Sequence, residues 1–87
     1  MPKHRSSPGE RLRATRSALG ITLRDVHTAS EKLAQKHRNR RFILPPSRLH
    51  DLEMKNMVPS LHRLYTLAHV YGCDVRDLLG WYGVPRW

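Results

Sequence analysis

Residues 47–79, SRLHDLEMKNMVPSLHRLYTLAHVYGCDVRDLL, read as three short helices separated by turn signals, and no other stretch restricts the fold as strongly. Ser47 is a good N-cap for the first, with Leu49 and Leu52 at inward positions. Lys55-Asn56 is its natural stop, because Asn tolerates left-handed backbone better than most residues. Pro59-Ser60 opens the next helix, where Leu61, Leu64, Leu67, Ala68 and Tyr71 form an apolar stripe ending at Gly72. Asp74 caps the last, Val75–Leu79. Helices this short gain most of their stability from packing on one another. The chain is therefore expected to be all-α.

The upstream half fits the same architecture. One helix is expected from Gly9 to Leu19, with Leu12, Ala14 and Leu19 near the core and Arg11, Arg13 and Arg16 around it. Gly20 ends it, as a glycine just past a helix end commonly does. Thr22 caps the following helix, with Asp25 three residues on in the manner of a capping box. Leu23, Val26, Ala29 or Ser30, Leu33 and Ala34 keep helical spacing over an unusual length, before Gln35–Arg41 fades into a loop. Phe42-Ile43-Leu44 is a short apolar return, expected as an extended piece tucked against the core. Pro45-Pro46 stiffens the approach to the next helix, since a residue before proline is pushed from helical angles. No internal repeat and no strand pattern appear, so the expectation is a compact five-helix bundle. Residues 1–8 read as a disordered basic arm, 9–80 as the helical domain and 81–87 as an aromatic C-terminal tail.

The 87 residues suffice for one domain with a modest core. No apolar run is long enough to span a bilayer, no signal-peptide pattern opens the chain, and the single Cys73 excludes an intramolecular disulfide. A cytoplasmic setting without membrane is the expectation. The net charge of +9 is concentrated: residues 1–16 carry net +4, residues 31–50 net +5, and the remainder sums to zero. Localised cationic excess is the electrostatic footprint of a polyanion binder, set against the plainer alternative of a solubilising tail and a solvated helix face.

Arg16-Ser-Ala-Leu-Gly20-Ile-Thr22-Leu, then Leu49-His-Asp-Leu52-Glu53, Pro59-Ser60-Leu61 and Leu67-Ala68 … Tyr71-Gly72-Cys-Asp74-Val-Arg-Asp-Leu78-Leu79, resemble the repressor/Cro-type, or Xre-like, helix-turn-helix DNA-binding family. The resemblance covers residues 9–80. It implies a lambda repressor-like fold, here with an enlarged connection between helices 2 and 3, and a bacterial-type transcriptional regulator that binds double-stranded DNA as a homodimer. Roughly ten residues are added to that connection relative to the family's tight turn; Leu23, His27 and Lys55 replace a glutamine, a small residue and a glycine common in the family.

Carried over by position, the resemblance makes Arg16 and Glu53 a structural ion pair and makes helix 3, about 47–55, the recognition helix. Pro46, Ser47 and Asp51 then fall among base contacts; Arg48 and His50 lie beside them, facing base edges or phosphates. Thr22 and Ser60 stand at helix N-termini that the family aims at phosphates, where unpaired amides favour an anion. Arg24, Lys55 and Asn56 join them as expected phosphate contacts. The added KHRNRR stretch, with Arg38, Arg40 and Arg41, is either a further set of phosphate contacts or an ordinary solvated loop. Lys3 and Arg5 are either minor-groove contacts or an unbound terminus.

Neither a metal nor a cofactor is expected. His62 and His69 are two helical turns apart, and Cys73 has no CxxC partner, so four converging ligands cannot be assembled. No nucleophile-base-orienter set appears, so the chain is not expected to be an enzyme. Trp81 and Tyr82 are expected to fold back over the core; Trp87 is open between that role and a dimer interface. The rival reading is a protein-interaction adaptor or antitoxin-like module with an acidic protein partner. Nonspecific coating of single strands is disfavoured, because the aromatics sit mainly in core or tail and offer no stacking platform.

Overall fold

The computed structural model describes residues 6–85, which form five α-helices and one 3-10 turn and contain no strand. In chain order these are α1 (Pro8–Leu19), α2 (Leu23–His37), the 3-10 turn (Arg40–Phe42), α3 (Pro46–Met54), α4 (Leu61–Tyr71) and α5 (Val75–Trp81). Among the described residues no helix is long and apolar enough to cross a membrane. Lys3, Arg5 and Trp87 lie outside them.

Local chemistry accounts for most boundaries. Ser7 and Glu10 form a capping box at the start of α1, and Thr22 and Asp25 form another at α2. The first helix therefore starts at Pro8, and its cap takes up Ser7, inside the stretch expected to be a disordered arm. Ser60 and Asp74 cap α4 and α5 through their side chains. Gly20 and Gly72 end α1 and α4 at φ 69° and 67°, the left-handed region that glycine enters without strain. Ser47 is not the cap of α3. That helix starts at Pro46 behind Pro45, with no side-chain capping bond, because a proline in the first turn needs no amide partner and already holds helical φ.

The core is made by Leu12, Val26, Leu44, Leu49, Leu52, Leu67 and Leu78, each almost fully buried, with Leu64, Ala68 and Tyr71 beside them. Each buried leucine contributes roughly 1.5–3 kcal/mol relative to exposure. Three expected core positions are not in it. Ala14 is exposed, Leu19 is 49% exposed and Leu61 is 81% exposed. Only Gly9 and Leu12 of α1 are buried, so the helix leaves the core before Leu19. In α4 the buried stripe starts at Leu64, a turn after Leu61.

Phe42 ends the 3-10 turn instead of opening the expected extended piece, and the Phe42 and Ile43 amides donate to Asn39 O and Arg40 O. The two carbonyls and the Leu44 amide of this 42–44 strap are met by side chains. Thr66 Oγ1 donates to the Phe42 carbonyl at 2.7 Å, and Arg63 Nε donates to the Ile43 carbonyl at 3.1 Å. The Leu44 amide donates to the fully buried Ser30 hydroxyl at 2.9 Å, and that hydroxyl donates on to His27 O. Buried polar backbone must find such partners. Trp81 ends α5, and both it and Tyr82 pack partly buried against the core; the Arg11 guanidinium sits 5.9 Å from the Trp81 ring centroid.

Candidate nucleic-acid interface

The orientation of α3 is fixed from its inner side. It buries Leu49, Leu52 and Glu53. With 3.6 residues per turn, the opposite face belongs to Ser47, Arg48, His50, Asp51, Met54 and Lys55. All of these are exposed except Asp51, which is half-buried, as is Pro46 at the helix start. Two contacts clamp the inner face to α1. Gly9 approaches so closely that a Cβ there would collide with the Glu53 carbonyl oxygen and lie 2.8 Å from Asn56 Oδ1. The Gly9 amide donates to that same Oδ1 at 2.9 Å.

The second contact is a forked ion pair. Arg16 Nε and Nη2 donate to the two carboxylate oxygens of Glu53 at 2.7 and 3.0 Å, while Nη1 donates to Ile21 O at 3.1 Å. Glu53 is 5% exposed. The hydrogen bonds from Arg16 to Glu53 raise the arginine's pKa despite its partial desolvation, so the guanidinium stays charged. One side chain thereby ties α1 to α3 and to the turn that leads into α2.

The two flanking helix N-termini differ. At α2 the Thr22 amide donates to Asp25 Oδ2 at 2.8 Å, and the Thr22 hydroxyl accepts from the Asp25 amide at 3.0 Å. These bonds hold the Asp25 carboxyl below its ordinary range. At this helix end, where Thr22 was expected beside a phosphate, the Thr22 and Asp25 amides are thus committed to each other's side chains and a carboxylate is already present. At α4 the Ser60 hydroxyl accepts from the Arg63 amide at 3.3 Å, and no acidic residue lies in the first turn. Ser60 shares a shallow cleft of about 350 Å³ with Arg48, Arg63, Met57 and Val58. Two guanidinium-bearing side chains and a first turn free of acid make this end of the two the more favourable to an anion.

The remaining expected contacts are dispersed. Lys55 Nζ lies 3.5 Å from Asp51 Oδ1, so these two outward residues of α3 engage each other. Asn56, at φ 53°, spends its side-chain oxygen on Gly9 while its amide end remains on an exposed residue. Arg24 is exposed on the first turn of α2. Arg38 caps α2 at φ 52°; Arg40 and Arg41 stand exposed on the 3-10 turn, which packs on α2 and α4. Arg38 and Arg40 share a shallow pocket with Glu31. These three arginines thus stand at the end of α2 and on the 3-10 turn, not on α3.

Two cations of the site escaped the sequence reading. Arg63 is one, and its signal was its isolation as the single formal charge between Asn56 and Cys73. Arg13 is the other; its Nη1 lies 4.0 Å from Met54 Sδ at the C-terminal edge of α3. Among the described residues no three His, Cys, Asp or Glu side chains converge as a metal site would require. Neither a protein-family model nor a curated protein matches this chain.

Proposed function

We propose that the chain is a sequence-specific double-stranded DNA-binding transcriptional regulator of the repressor/Cro type, acting as a homodimer. In this reading α2 and α3 are the two helices of a helix-turn-helix with an enlarged connection, and α3 enters the major groove. The observation that carries it is α3 itself: one face is clamped by Gly9 and by the Arg16–Glu53 fork, while the other presents Ser47, Arg48, His50 and Asp51 outward. A rigid helix with an exposed polar face is what base-edge readout needs. Ser60, Arg48 and Arg63 hold phosphates on one side, and Arg24 and Lys55 add backbone contacts that position without specifying. Arg38, Arg40 and Arg41 supply sequence-independent affinity from the end of α2 and the 3-10 turn.

Selection of bound duplexes from a random pool at near-physiological salt tests the proposal. A recovered motif, palindromic with half-sites about one helical turn apart, is the expected result. A pool that stays random overturns it. On the recovered site Arg48→Ala should cost about 1–3 kcal/mol and relax preference at one position. Arg40→Ala with Arg41→Ala should weaken all sequences alike and flatten the salt dependence.

A further inference from the structure

Five rings from three elements form one continuous cluster: His37 at the end of α2, Phe42 on the 3-10 turn, and His62, Tyr65 and His69 on α4. Neighbouring centroids lie between 5.1 and 6.4 Å apart, and the Tyr65 and His69 planes run within 12° of parallel. His37, Tyr65 and His69 are exposed, Tyr65 by 43%, while Phe42 and His62 are half-buried. Aromatics expected mainly in core or tail thus do gather at the surface, once the fold brings α2, the turn and α4 together. His69 also lines an open cleft of about 380 Å³ with Lys32 and Lys36 of α2. Residues 32–50 and 54–73, which supply the rings and these lysines, contain no Asp or Glu. Scattered apolar groups on a surface need no explanation, but a contiguous aromatic cluster marks an interaction site.

We propose that this face binds single-stranded nucleic acid, with bases stacked on Tyr65 and its neighbouring rings and phosphates held at Lys32 and Lys36. Both halves of such a ligand find their complement here. A base of any sequence offers a flat π-face to an aromatic or imidazole ring, and its phosphates need cations alongside. An acidic protein segment would engage the lysines and leave the rings idle. A lipid surface would have to strip water from three imidazoles. A duplex offers only base edges, because its base faces are stacked on one another. Five rings give more than one base a partner, so the ligand is a strand and not a free nucleotide. None of these residues belongs to α3 or lines the Ser60 cleft, and the proposal goes beyond the duplex reading without depending on it.

Fluorescence anisotropy of a dye-labelled oligothymidylate of about ten nucleotides, titrated with the full chain at near-physiological salt, tests this face. An abasic strand of the same length is the charge-only control, and it should bind at least about tenfold more weakly. Tyr65→Ala should weaken oligothymidylate binding about five- to 150-fold, the effect of one lost stack, whereas Tyr65→Phe should bind as wild type. Lys32→Ala with Lys36→Ala should lower the slope of log affinity on log salt by about 1.4, the share of two phosphates on a single strand. All three positions are exposed, so circular dichroism spectra should not change. Tyr65→Ala should leave duplex affinity as it was. An oligothymidylate that fails to bind, an abasic strand that binds as tightly, or a Tyr65→Ala variant that keeps full strand affinity would each overturn the proposal. So would equal losses on strand and duplex, or Tyr65-dependent binding of phosphatidylserine vesicles or polyglutamate with no preference for thymidylate. A duplex pool that stays random, beside strand binding lost with Tyr65, would remove the regulator reading and keep this face.

Discussion

Where α1 meets α3, backbone approaches backbone: Gly9 lies against the Glu53 carbonyl, and the Arg16–Glu53 fork closes the contact. Where residues 42–44 cross α2 and α4, backbone meets only side chains, through Ser30, Thr66 and Arg63. The first junction has no space and a committed charge pair. The second has three separable hydrogen bonds around one buried leucine, Leu44. A junction of the first kind fixes an orientation and fails as a unit, whereas one of the second kind loosens by steps.

The largest effect expected from this contrast is at Glu53. Glu53→Ala strands the partly buried Arg16 and should cost about 3–5 kcal/mol in chemical denaturation. A loss under 1 kcal/mol would mean the fork is ornamental. Gly9→Ala comes next, about 1–3 kcal/mol, because the added methyl must push α1 off the Glu53 carbonyl. If α3 is the reading helix, this substitution should also weaken duplex binding with no contact to DNA. On the other junction, Thr66→Val leaves the Phe42 carbonyl without its hydroxyl donor and should cost about 1–2 kcal/mol. Thr66→Val and Ser30→Ala should be nearly additive if the strap loosens by steps, while Glu53→Ala and Arg16→Ala together should cost far less than their sum.

The smallest effect lies at the edge of the first junction, where α2 begins beside Ile21. The folded Asp25 carboxyl titrates below its ordinary 3.8. Its stabilisation is therefore complete above that value and lost as pH falls through the lower folded one. The acid limb of a thermal-midpoint profile should flatten in Asp25→Asn.

Helix order and most caps were legible in the sequence because short-range chemistry sets them: Thr22 with Asp25, Ser60, Asp74, and glycine at positions 20 and 72. The core was legible at mid-helix residues such as Val26, Leu49 and Leu67, though not at Ala14, which is exposed. Residues at helix ends were not. Leu19 and Leu61 have correct spacing yet face solvent, since burial there depends on where a neighbouring helix stops. Ser47 looked like a cap, but the preceding proline pair had already set the helix start. The strap's partners, Ser30 and Thr66, carry no local signal, because their bonds span 14 and 24 residues. For the candidate site, the outward face of α3 was legible from Leu49 and Leu52, whereas the pairing of Arg48 with Arg63 across a cleft needed the tertiary fold.

The contact between α1 and α5 has a topological consequence. Ser6 and Arg11 share a cleft with Gly80 and Trp81, so the described chain begins beside the end of α5. From Ser6 to Trp81 the path is close to a ring, opened at a point remote in sequence from α3. A short polar linker across that gap, with new ends cut in the exposed 57–58 loop, would yield a circular permutant retaining every core contact. Such a permutant would sever the α3–α4 corner while keeping α1, α2 and α3 contiguous, separating the stability of the bundle from the continuity of the surface that α3 and α4 present together.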